Sequence, residues 1–160
     1  MRKLLSVSIA SVVLAALIPV SPATSANCWS YSAKERAFAK KINSARGRHD
    51  VGRLRLDPEL SKVAMKQTKA MIRKRLLHHT SNLGRRVTNW TMLGENVGYG
   101  GTVGSLHTTF MRSAPHKRNI LTRQFKYVGV GTKKAHGYLW VTVVFQATRN
   151  PGTTLSMPKC

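Results

Sequence analysis

Acidic residues are scarce in this sequence. Only five of its 160 residues are Asp or Glu, against 27 Lys and Arg, for a formal net charge of +22. The scarcity removes whole classes of chemistry. A glycosidase built on two facing carboxylates needs its pair close together. Here Glu35 lies in a helical stretch, Asp50 in a loop, and Asp57 and Glu59 at a helix start, which leaves Glu95 alone. Cysteine is nearly absent too, with Cys28 and Cys160 the only two. Phosphate-loop and dinucleotide fingerprints are missing, as is the His-Glu-x-x-His zinc helix. No Gly-x-Ser-x-Gly elbow presents a serine nucleophile. Beyond residue 20 no apolar run is long enough to span a bilayer.

What is present begins with a leader. Arg2 and Lys3 precede a mostly apolar run from Leu4 to Val20, then Pro22 and the small residues Ala23 to Ala26. That order is the anatomy of a secretory signal peptide. Residues 1–26 are therefore expected to be cleaved, leaving one domain over 27–160, secreted to the extracellular space and acting as a monomer. Cys28 and Cys160 then stand near the two ends of the exported chain, where an oxidising environment favours a disulfide between them. Closing so long a loop stabilises a fold by roughly 4–5 kcal/mol in the chain-entropy picture. A bridged pair also offers no cysteine nucleophile.

The surplus of cations points to anionic company: wall polymer, acidic lipid or sulfated glycan, with attraction that weakens in salt. Nucleic acid has comparable charge but is not expected as a physiological partner. The cations have a pattern in one place. Asp57-Pro58-Glu59 reads as a helix start, with Asp57 as N-cap and Pro58 at the first helical position. Leu60, Val63, Ala64, Gln67 and Met71 then share one face, and Lys62, Lys66, Lys69 and Arg73 fall roughly opposite. An earlier helix is expected over Ala33 to Arg46, stopped by Gly47. Short helices are expected over Thr102 to Met111 and after Ser113, an N-cap candidate. Phe125 to Gly131 and Tyr138 to Gln146 read as strands of a hairpin joined by residues 132–137. Residues 78–101 show no sustained period and read as a long glycine-rich loop, its glycines permitting positive φ and close backbone approach. Trp90 and Trp140 read as core. Helices first and strands last give an α+β class.

Histidine is what remains for chemistry. His78 and His79 follow the second helix, Glu95 sits among glycines, and His116 begins a short helix. Two imidazoles and a carboxylate are enough for an open zinc site. Each could equally be a hydrogen-bonding loop residue.

The segments "NSARG", "LRLDPELSKVA", "LLHHTSNL", "LGENVGYG", "SAPHKRNIL", "VGVG" and "WVTVVFQ", in this order from about Phe38 to Gln146, resemble the bacterial branch of the CAP superfamily. That superfamily contains cysteine-rich secretory proteins, antigen 5 and plant pathogenesis-related-1 proteins. The match looks most like the secreted actinobacterial type. The resemblance implies a three-layer α-β-α sandwich, with an antiparallel sheet between helices and a surface cleft. It also implies that His79, Glu95 and His116 would hold zinc or another divalent metal. The expected ligand-binding set adds His78, read as packing or lining, Asn96, read as hydrogen-bonding within its own loop, and Ser113. A second glutamate usual in the family has no counterpart here: the region reads Phe110-Met-Arg-Ser113, and Ser113 or solvent would fill its place. Asn119 is placed to tie the short helix of His116 to a neighbouring segment. The expected function is binding of an extracellular ligand or anionic surface, with a metal-assisted hydrolase using His79, Glu95 and His116 as the alternative.

Overall fold

Ser32 and Glu35 start the first helix by local bonding alone. In the computed structural model, which describes residues 29–148 and 150–158, the Ser32 hydroxyl accepts from the Glu35 amide and the Glu35 carboxylate accepts from Ser32 N–H at 2.8 Å. This reciprocal cap opens α1 (Ala33–Arg48). The helix does not stop at Gly47 as expected. Its last turn is held by Arg46, which is fully buried and donates to the carbonyls of Gly52, Ile120, Thr122 and Phe125. Burial lowers the Arg46 pKa to about 10, which leaves it charged at neutral pH. The four carbonyls replace its water.

After the short β1 (Arg55–Leu56), Asp57 accepts the Leu60 amide at 2.9 Å and Pro58 opens α2 (Pro58–Lys74), as the sequence indicates. The chain continues through α3 (Leu83–Arg86), β2 (Val87–Thr88), β3 (Leu93–Gly100), α4 (Val103–Arg112) and α5 (Ala114–Leu121). It closes with β4 (Tyr127–Ala135), β5 (Tyr138–Gln146) and β6 (Gly152–Thr153). Ser113 is the N-cap of α5 but its side chain makes no capping bond.

The main sheet has the order β1-β4-β5-β3, and β6 pairs separately with β2. It is mixed rather than wholly antiparallel, because β1 joins β4 in parallel after the chain has run through α2, β3, α4 and α5. The β4–β5 strands extend further into the expected loop and turn on two residues only. His136 (φ 52°) and Gly137 (φ 80°) both adopt the left-handed conformation that a tight hairpin turn requires.

Period-two alternation along β5 builds both cores. Leu139, Val141, Val143 and Phe145 join Phe38, Ile42, Leu106, Phe110 and Ile120 in one cluster, so α1, α4 and α5 cover that face. Val144 packs with Leu60, Val63 and Ala64 under α2 on the other. The layers are therefore helices, sheet and helix. The "VGVG" of β4 exists for α2: a Cβ on Gly129 would lie 2.2 Å from Leu60 C, and one on Gly131 2.3 Å from Met65 N. Only glycine lets the helix backbone rest on the strand. Ser61 and Thr68 secure that seat, with the Ser61 hydroxyl accepting Val130 N–H and the Thr68 hydroxyl donating to Gly131 O.

Two further expectations change. The glycine-rich segment is an edge strand, β3, paired in unbroken register with β5 from Leu93–Gln146 to Gly100–Leu139. Its glycines do not use positive φ. Gly98 makes room for the Phe110 ring and Gly100 for Leu106. Trp140 is core, but Trp90 is 46 % exposed, lying over Gly84 and donating to its carbonyl. The expected leader and the Cys28–Cys160 bridge fall outside the described residues.

Candidate functional site

The register of β3 decides what its side chains can meet. Glu95 pairs with Val144 and so shares the α2 face, whereas Asn96 pairs with Val143 and shares the face covered by α4 and α5. Adjacent residues thus serve opposite layers.

Glu95 is buried to 6 % side-chain exposure and its acceptors are engaged. One oxygen accepts from Thr80 N–H and from His79 Nδ1, both at 2.8 Å, and the other accepts from the Thr80 hydroxyl. The carboxylate therefore ties the segment after α2 to the sheet edge. His79 itself is 63 % exposed. Because its Nδ1 donates to Glu95, the neutral ring carries its free lone pair on Nε2, open to solvent. The pair can present one oriented proton acceptor, or an ion pair once His79 is protonated.

His78 faces inward instead. The Gln67 amide donates to its main-chain carbonyl and approaches its Nδ1 at 3.1 Å. This is packing of the turn after α2, as expected of a lining residue. Asn96 is fully buried; it donates to His116 O at 3.0 Å and accepts from Asn119 at 2.9 Å. Asn119 also donates to Glu95 O. The bond expected within the Asn96 loop is thus a bond to α5. Asn119 performs the tie the sequence suggested. The His116 ring lies against Phe110, centroids 4.7 Å apart. Burial lowers its pKa first, and the neighbouring His79 lowers it further. Ser113 has no hydrogen bond joining it to Glu95 or either histidine among the described residues.

The zinc or other divalent ion expected of His79, Glu95 and His116 is overturned. Among the described residues no three His, Cys, Asp or Glu side chains come together closely enough to hold a metal. The donor set explains it. Glu95 is committed to Thr80 and His79, and His116 is stacked in the opposite helical layer. The hydrolase alternative has no catalytic metal cluster to stand on. Thr80, which residue spacing does not single out, is what occupies the carboxylate.

Against protein-family models, residues 39–145 match the cysteine-rich secretory protein family, CAP. The chain belongs to the CAP family. Solved structures agree on the fold. An extracellular SCP-domain protein from Bacillus anthracis aligns with TM-score 0.64 and 21% identity over 72% of this chain. This chain spans 40% of the length of that protein. An outer surface protein from Borrelia burgdorferi aligns with TM-score 0.65 and 16% identity, covering 71% of this chain and 92% of its own. Venom allergen-like protein 4 of Schistosoma mansoni gives 0.64 and 10% identity, covering 80% and 97%. Among curated proteins no match was found. The structural relatives are bacterial and animal alike, so they support the superfamily and not one bacterial branch.

Proposed function

We propose that this CAP domain is a secreted binding protein, exported by its leader and folded as one unit over 27–160, that engages an anionic extracellular ligand by charge. One observation carries the reading. Among the described residues the only ion pair is His79–Glu95. Asp57 caps α2 and Glu35 is enclosed by Ser32 and Thr132. Among the described residues no lysine or arginine forms an ion pair with a carboxylate, and apart from the buried Arg46 the excess charge lies toward the surface. The family match and the extracellular character of the Bacillus relative support export. No helix among the described residues is long and apolar enough to cross a membrane. The segment SAPHKRNIL supports the bacterial secreted type as our reading of its origin. The CAP edge at Glu95 acts as scaffold rather than catalyst.

The test is titration of the domain with anionic and neutral polymers and vesicles at 50 and 200 mM salt. Tight binding to an anionic partner that falls steeply with salt is expected. Equal affinity for neutral and anionic partners, or none for any, overturns the reading.

A further inference from the structure

Lys62, Lys66, Lys69 and Arg73 stand four, three and four residues apart on α2. At 100° per residue they fall within about 40° to either side of one line. At 1.5 Å rise per residue they form a row about 16 Å long, with neighbours about 4.5–6 Å apart along the axis. All four line one hollow of about 540 Å³, closed by Trp29 at one side and by the 154–156 segment, with Met65 and Leu155 at its apolar part. A second hollow of about 390 Å³ shares Trp29, Met65 and Lys69 and so continues the first. None of the four cations has an acidic partner among the described residues. Lys62 instead lies over the Trp29 ring, 5.8 Å from its centroid. The Trp29 indole N–H is shielded from solvent and has no acceptor. The second hollow does include Glu35, but that carboxylate is itself buried and accepts from Ser32 and Thr132 amides.

We infer that this groove is the binding site for an extended phosphodiester chain, which lies along α2 with successive phosphates against successive cations. The inference rests on the binding function proposed above and assigns it a place and a ligand class. Shape argues for a chain over a bilayer: the charges line a walled groove, which a flat headgroup surface cannot enter, and its apolar residues Trp29, Met65 and Leu155 form walls rather than exposed side chains that could insert into lipid. Spacing supports the same choice. Phosphates separated by a three-carbon unit recur at intervals comparable with the cation row. Lysine suits the role as a mobile point charge able to follow such a chain.

The experiment titrates the mature domain with poly(glycerol phosphate), with an oligothymidylate of equal charge, with heparin and with phosphatidylglycerol vesicles. Wild type is compared with two double variants of equal charge change. Lys66→Glu with Lys69→Glu alters the groove. Lys40→Glu with Lys41→Glu alters the separate basic cluster on α1, where those lysines line a hollow with Arg48 and His107. Circular dichroism and melting checks show that each variant is folded. Four phosphate contacts predict a slope of log affinity on log salt of roughly −3, an affinity loss of about 50-fold between 50 and 200 mM. The groove variant should weaken poly(glycerol phosphate) binding at least 20-fold and reduce the slope by two charges' worth. The α1 variant should change it no more than threefold. Equal binding of oligothymidylate identifies the phosphodiester backbone as the feature read. Equal losses in both variants mean that net charge alone binds, and overturn the groove while leaving the broader function standing. Tighter binding to vesicles or heparin than to either phosphodiester chain overturns the ligand class. No salt-sensitive binding in wild type overturns the broader function itself.

Discussion

The sheet edge at Glu95 and the outer face of α2 treat charge in opposite ways. At the edge, one carboxylate holds a threonine amide, a threonine hydroxyl and a histidine, and Asn119 closes the far side of the strand. On α2, four cations share a groove and none has an acidic partner among the described residues. The difference separates what holds the protein together from what is free to act on something else. A polar network with satisfied acceptors has little left to offer a ligand. A row of like charges forced together by a helix has an electrostatic deficit that an anion relieves.

The largest effect should come from removing the support common to both regions. Gly131→Ala places a Cβ against the backbone of α2 at Met65, and overpacking of this kind costs ~3 kcal/mol or more. Urea denaturation should show a large drop in midpoint, and both regions should fail together. Loss of the edge alone is smaller. Glu95→Gln leaves Thr80 and His79 with a weaker acceptor and should cost about 2 kcal/mol. Binding of polyanions by the folded fraction should be unchanged. Lost binding in a folded Glu95→Gln protein would merge the two regions into one site.

Protonation gives the next effect. Burial lowers the pKa of His116, with His79 as the added cause, and burial with Lys41 and Arg48 lowers that of His107. Both fold with values below the ordinary 6.5, so the unfolded chain binds more protons just below that pH. Stability should therefore fall as pH drops from 6.5 toward the folded values, and return as pH rises. Asp57 works in the opposite sense: burial raises its carboxyl above 3.8, and its window lies in the acid range. Melting temperatures between pH 7.5 and 5 should decline, and His116→Phe, which keeps a ring against Phe110, should flatten the decline. Smallest of all is the stability change on reversing groove charges. Lys66→Glu with Lys69→Glu should move stability by no more than about 0.5 kcal/mol, although it removes binding. A large destabilisation would show that the cations are structural.

The contrast also explains what could be read in the chain. The helices α1 and α2 and the β4–β5 hairpin follow from apolar periodicity, and Asp57-Pro58 marks a helix start that needs no tertiary help. The strand β3 was hidden because its inner positions are glycines, which carry no hydrophobic signal; their absence of side chain answers to Phe110 and Leu106 across space. Trp90 has core composition but an exposed seat over Gly84. At the site, His79 and Glu95 do meet, as motif order suggested. That Thr80 would take both carboxylate oxygens is invisible in spacing, and it decides against the metal. The row on α2 was visible as a stripe. Its confinement in a groove depends on Trp29 and the 154–156 segment, which are remote in sequence.

Chemical-shift mapping of the isotope-labelled domain with poly(glycerol phosphate) tests the division of labour most directly. The amide signals of Lys62, Lys66, Lys69 and Arg73 and the indole N–H of Trp29 should move together, with His79, Thr80 and Glu95 unperturbed. Shifts gathered at His79, Thr80 and Glu95, with the α2 signals still, would contradict the account.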